Sequence, residues 1–275
     1  MPRKIITNDL KEEIIRFYKS KPMGYKDIEK KYNLSTPTVI KILKGVEKYN
    51  KSIIFNPELK ENFFENIDDE YKAYFIGLLI SDGNVFIDSN KKANRQASIS
   101  ITLDKNDKYI LDEFKKVLKT NTKVTSDGRG CSQIAVRSNK IAEDLSKYGI
   151  IPKKTFITYL PILSDNMMPH LIRGILDGDG CINSHLIKSG RFLHSISFCG
   201  SEQLMSDLSN FLFEKVKLKT KPKVYSYKDK NLSEISVRNI NDMFLLGKYL
   251  YSNATIFLKR KYNKFNNFIE HYNLK

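Results

Sequence analysis

The sequence predicts an α+β chain. Two pseudo-symmetric αββαββα halves, residues 67–163 and 164–275, follow a small all-α helix-turn-helix domain at 1–50 and a linker at 51–66. Three observations carry this expectation. The C-terminal three quarters repeat themselves in order; the repeated blocks alternate between period-2 and helical spacing; and the first fifty residues are basic with helical periodicity only.

The N-terminal segment holds twelve Lys and Arg against six Asp and Glu. Leu10, Ile14, Ile15 and Phe17 form the apolar face of a first helix, which Gly24 is expected to close. Tyr25, Ile28, Tyr32 and Leu34 mark a second. Thr36 is placed to cap a third, with Pro37 at its first position, where a missing N–H costs nothing. Val39, Ile40 and Leu43 should be buried, leaving Thr38, Lys41 and Lys44 facing outwards to contact DNA. The plainer alternative is a basic three-helix packing module. Asn56-Pro57 then interrupts any regular element, as expected of a linker.

The repeat begins with FIGLLISDG at 75–83 and IRGILDGDG at 172–180, an offset of 97 residues. Ser98-Ile99-Ser100-Ile101 matches Ser195-Ile196-Ser197-Phe198 at the same offset. Ile134-Ala135-Val136-Arg137 matches Ile235-Ser236-Val237-Arg238, and Leu145-Ser146-Lys147-Tyr148 matches Leu246-Gly247-Lys248-Tyr249, both at 101. Each half reads helix, two strands, helix, strands, helix. Ile99, Ile101, Ile134, Val136, Ile196, Ile235 and Val237 should point inwards, because strand side chains alternate between faces.

The nonapeptides carry the chemistry. Gly77 and Ser81, like Gly174 and Gly178, are small residues four apart, which lets two helices approach backbone to backbone. Gly83 and Gly180 are expected to end those helices in the left-handed conformation. Asp82 and Asp179 precede them. A carboxylate there faces the negative end of the helix dipole, unfavourable by about 0.3–1 kcal/mol, and two brought together repel. A divalent metal held by oxygens and completed by phosphate answers that need. DGDG at 177–180 also looks like the start of a calcium loop, but the twelfth position is Lys188 and the reading fails.

Composition narrows the partner. Net charge is +16 with 41% hydrophobic residues, so a polyanion is expected, with nucleic acid ahead of a membrane surface. No apolar run approaches the ~18–20 residues that would span a bilayer. No signal peptide is visible, and a cytoplasmic, nucleoid-associated protein of bacterial or phage origin is expected. Cys131, Cys181 and Cys199 are read as reduced thiols, and the four histidines show no zinc spacing.

YKAYFIGLLISDG and LIRGILDGDG resemble the paired signatures of single-chain LAGLIDADG homing endonucleases, over roughly residues 67–265. The resemblance implies two halves whose sheets form a saddle over double-stranded DNA, a monomer, and intron homing by a mobile element. It implies Mg2+ (or Mn2+) held by Asp82 and Asp179, with Gly83 and Gly180 beside them, and metal-activated water cutting both strands. Ile80 stands where the second motif has Asp177, so the halves are unequal and nicking is an alternative. A basic residue late in each half is implied. Lys154 and Lys261 are favoured over Lys153 and Lys259. Base and phosphate contacts are expected from Gln96, Ser98, Ser100, Gln133, Arg137, Arg191, Ser195, Ser197 and Arg238. A non-cleaving transcriptional regulator and an intron RNA maturase are the competing functions.

Overall fold

The computed structural model describes residues 6–20, 24–44, 46, 58–88, 96–126, 128–152, 158–190, 192–227 and 231–274. The chain divides into an N-terminal unit and a larger unit that begins at Glu58.

The N-terminal unit contains helices α1 (Asn8–Ser20), α2 (Tyr25–Tyr32) and α3 (Thr36–Ile42). They enclose a core of Ile14, Tyr18, Ile28, Tyr32, Val39 and Leu43. Gly24 is not a terminator: it is the N-cap of α2, and its N–H donates to Asp27 Oδ2 at 2.7 Å. Asn33, at φ 51°, ends α2 in the left-handed region. Ser35, not Thr36, is the N-cap of α3, and its hydroxyl is paired with Thr38 Oγ1 at 2.9 Å. Ile40 was expected inside but is 48% exposed, because Val39 and Leu43 already fill the inward side of so short a helix. Lys41 and Lys44 are exposed, and Lys44 lies just beyond the helix.

In the larger unit, α4 (Glu70–Ser81), β1 (Gly83–Phe86), β2 (Ser98–Asp104), α5 (Lys108–Val117), β3 (Thr125–Ser126), β4 (Cys131–Arg137) and α6 (Asn139–Ser146) form the first half. The second half repeats the order: α7 (Met168–Asp179), β5 (Gly180–Leu186), β6 (Phe192–Gly200), α8 (Glu202–Glu214), β7 (Tyr225–Tyr227), β8 (Leu232–Val237) and α9 (Ile240–Tyr251). A further helix, α10 (Lys259–His271), closes the chain. The sheets are antiparallel, ordered β1-β2-β4-β3 and β5-β6-β8-β7.

Register follows the alternation. Ile99 faces Val136 and Ile101 faces Ile134; Ile196 faces Val237 and Phe198 faces Ile235. All seven residues expected to point inwards are buried, which turns their polar neighbours outwards. The repeat extends to the caps: Ser138 and Asn239 accept from the first turns of α6 and α9, one residue after Arg137 and Arg238.

The helices α4 and α7 pack at the centre. Residues 73–80 of α4 are all buried, so it is apolar all round, as a core helix should be. A Cβ on Gly77 would strike the carbonyl oxygen of Leu171, and one on Gly174 the carbonyl oxygen of Tyr74; each would also lie 3.0 Å from the opposing glycine's Cα. Neither backbone can give way without parting the helices. Gly174→Ala is expected to destabilise the protein by about 1–3 kcal/mol, the usual cost of overpacking. Urea denaturation measures this, and an unchanged midpoint would contradict the packing.

Candidate active site

The close helix approach fixes where the motif aspartates stand. Asp82 is the C-cap of α4, its N–H donating to Leu78 O at 2.9 Å, and it is half-buried. Asp179 is the last residue of α7 and is exposed. A Cβ on Gly178 would strike the Ser81 side chain and sit 3.3 Å from Asp82 Oδ2, so the Asp82 carboxylate lies against the last turn of α7. The two motifs therefore deliver their carboxylates to adjoining helix ends.

Gly83 and Gly180 follow, but not as left-handed caps. Neither has positive φ, and Gly180 is extended at φ −99°, ψ 173°. Glycine is required for space instead: a Cβ at Gly83 would lie 2.5 Å from Leu79 O, and one at Gly180 2.6 Å from Leu176 O. Each strand leaves its helix by folding back across the final turn.

Lys261 reaches the same place from α10. It is only 3% exposed. Its Nζ donates to the carbonyl oxygens of Leu176 (2.6 Å), Asp177 (2.7 Å) and Gly180 (2.6 Å), with Gly178 O at 3.4 Å. The ammonium thus caps α7 and offsets the negative end of the dipole beside Asp179. Gly180 O, expected beside the metal, is engaged by this lysine. Lys259 lies farther out, with its Nζ 5.0 Å from the Tyr109 ring centre. Lys153 and Lys154 lie outside the described residues.

Asp177 is buried. Its Oδ2 accepts from Tyr74 Oη at 2.9 Å and from Leu258 N at 2.8 Å. Burial pushes its carboxyl up to about 6, against the pull of those hydrogen bonds and of Lys261. Arg173, fully buried, donates to Ile256 O (2.9 Å), Leu250 O (2.6 Å) and Glu70 Oε1 (2.6 Å). Glu70 also accepts from Thr255 N and Thr255 Oγ1, both at 2.7 Å. Tyr109 Oη donates to Phe257 O at 3.1 Å and accepts from Lys259 N at 2.6 Å. These side chains hold residues 255–259, the strap that leads into α10. Reading the sequence singled out Asp177 as a supporting position but missed its partners and the roles of Arg173, Glu70 and Tyr109; the available signal was Arg173, a charge among the apolar residues in the middle of α7.

The outward strand positions form two polar rows. Ser98 pairs with Arg137, the last residue of β4, and Ser100 faces Ala135. Gln133 is exposed, its Nε2 donating to Thr102 Oγ1 at 3.0 Å. In the second half Ser195 faces Asn183; Ser197 faces Cys181 and Ser236 but is only 9% exposed. Arg238 is exposed just past β8, its Nε donating to Ser236 Oγ at 3.3 Å. Gln96, expected on a strand, precedes β2. Arg191 lies outside the described residues.

Among the described residues no group of three or more His, Cys, Asp and Glu could hold a metal, and no helix is long and apolar enough to cross a membrane. Two carboxylates are nevertheless a fitting donor set for Mg2+, which keeps several waters and takes one or two protein carboxylates plus substrate phosphates.

Burial lowers Lys261 to about 8 from 10.5. Between those values the unfolded chain binds more protons than the folded one, so the lysine's contribution to stability rises with pH across that window. Lys261→Met is expected to cost about 2–4 kcal/mol at pH 7, through carbonyls left unsatisfied. Urea titrations of both proteins should show the wild type gaining on the variant from pH 8 to 10. A constant difference would contradict the lowering of Lys261 by burial.

No family model matches the chain, and no curated protein matches it. Solved structures do. The LAGLIDADG meganuclease I-AabMI bound to uncleaved DNA is 14% identical with a TM-score of 0.55, covering 75% of this chain and 91% of its own. I-SmaMI bound to uncleaveable DNA is 14% identical with a TM-score of 0.54, covering 74% and 89%. I-SmaMI bound to cleaved DNA gives 14% and 0.51 over the same shares. At that identity the likeness speaks for architecture: the chain has the two-half fold of the LAGLIDADG homing endonucleases.

Proposed function

We propose that this protein is a sequence-specific endonuclease that hydrolyses phosphodiester bonds in double-stranded DNA. The observation that carries the reading is the delivery of Asp82 and Asp179, one from each repeat, to adjoining ends of two tightly packed helices. A binding protein gains nothing from two repelling carboxylates there. The neighbours support it: one is described with cleaved DNA and another with uncleaved target and calcium ions.

In this reading Asp82 and Asp179 hold Mg2+ or Mn2+ against the scissile phosphates. The ion supplies Lewis acidity and eases deprotonation of water. Lys261 tempers the negative helix end beside Asp179, and Lys154 is the corresponding candidate in the first half. The outward rows around Ser98, Ser100, Gln133, Arg137, Ser195 and Arg238 lie along the duplex, with the arginines and Gln133 suited to bidentate base contacts. Among the described residues of that set, Ser197 is the least accessible. The basic N-terminal unit adds affinity through Lys41, on the same short helix as Thr38, and Lys44, just beyond it.

The test incubates purified protein with genomic DNA from its source and Mg2+ and sequences the new ends. Recurrent ends at one site are expected, abolished by EDTA and in Asp82→Asn and Asp179→Asn. The T38A/K41A/K44A variant should bind more weakly, with a salt slope smaller by about 2, one for each lysine–phosphate contact. Tight site-specific binding with no new ends under any divalent metal would refute the endonuclease.

A further inference from the structure

The polar network behind the motif helices serves one half of the site only. At the 97-residue offset that aligns the motifs, Asp177 corresponds to Ile80 and Arg173 to Ile76; Glu70 corresponds to Met167 and Tyr74 to Leu171. The same set of anchors therefore cannot be built around the first motif, whose helix packs with apolar groups at those places.

Burying Asp177 and Arg173 is a poor way to gain stability, since apolar side chains of similar volume usually serve as well or better. Ile76 and Ile80 show that this fold accepts that solution. What the charged set adds is direction. Asp177 fixes Leu258 N, Glu70 fixes Thr255, and Arg173 fixes Ile256 O. Three residues beyond Leu258 stands Lys261, whose ammonium must meet three carbonyls at 2.6–2.7 Å. Glu70 and Tyr74 belong to α4, so the first half helps to hold the strap of the second.

We infer that Asp177 and Glu70 are positioning residues: they hold the 255–259 strap so that Lys261 stays on the end of α7. The half-site built on Asp179 depends on them, and the half-site built on Asp82 does not. The inference rests on the nuclease reading for its consequence, which is that the two DNA strands respond differently when the anchor is removed.

The experiment compares Asp177→Ile, which copies the first half, with Asp177→Asn, whose Oδ1 can still accept from Leu258 N and Tyr74 Oη. The probe is a duplex carrying the site cut by the wild type, each strand labelled with its own fluorophore, under single turnover. Asp177→Ile should slow one strand about 10–100-fold, the usual effect of losing a supporting contact, and accumulate nicked duplex. Asp177→Asn should restore that strand. Equal slowing of both strands, or an Asn variant as impaired as the Ile variant, overturns the inference. Amide hydrogen exchange on the DNA-free protein provides the second arm. Asp177→Ile should accelerate exchange at Leu258 and at 178–181 but not at 82–84; no change, or a uniform change, overturns it. A wild type that cuts no DNA sinks the nuclease reading, while the exchange result still decides whether Asp177 anchors the strap.

Discussion

The contact between Gly77 and Gly174 governs the rest of the larger unit. Each glycine faces a carbonyl oxygen of the other helix, and neither position has room for one more carbon. Side-chain packing between helices leaves their axes about 8–10 Å apart; glycine pairs allow closer approach. Because α4 and α7 meet this closely, their last residues share one locality. The sheets begin almost at once, since β5 follows α7 directly and only Asp82 separates α4 from β1. Site and sheets are thus joined through a single packing event, and the repeat ensures that each half presents the same elements to it.

That arrangement carries an electrostatic cost. Two helix C-termini point the same way, and a carboxylate stands on each. On the second helix the cost is offset by Lys261, whose ammonium meets the carbonyl oxygens of Leu176 and Asp177 in the last turn and of Gly180 just beyond it. Burial holds this lysine at about 8 and raises Asp177 to about 6. Both shifts come chiefly from lost hydration, which is the penalty for placing charge behind a site instead of in it. The chain's net charge of +16 favours association with a polyanion.

Much of this was legible in the sequence, for definite reasons. The repeat exposed the two halves, and strand alternation exposed which of Ile99, Ile101, Ile196 and Ile235 face the core. Asp82 and Asp179 stood out because the same short pattern occurs twice. Gly83 and Gly180 were recognised as necessary for the wrong reason. Glycine serves both positive φ and tight spaces, and sequence does not distinguish them. Glu70, Arg173 and Asp177 were missed as a network because the partners that tie them to one another and to the strap are 77 to 186 residues away in the chain. Lys261 was visible as a cation near the site, but its attachment to backbone carbonyls was not. The exposure of Ile40 escaped for a simpler reason: a seven-residue helix has less buried surface than its apolar content suggests.

The proposed nuclease reading requires that helix packing bring Asp82 and Asp179, one from each half, to adjoining metal sites. Manganese anomalous scattering from crystals of the protein bound to its DNA tests this most directly. The account predicts peaks at about 2.2 Å from carboxylate oxygens of both aspartates, with scissile phosphate oxygens completing the shell. Peaks bound elsewhere, or on one aspartate while the other points away from the metal and the DNA, would contradict it.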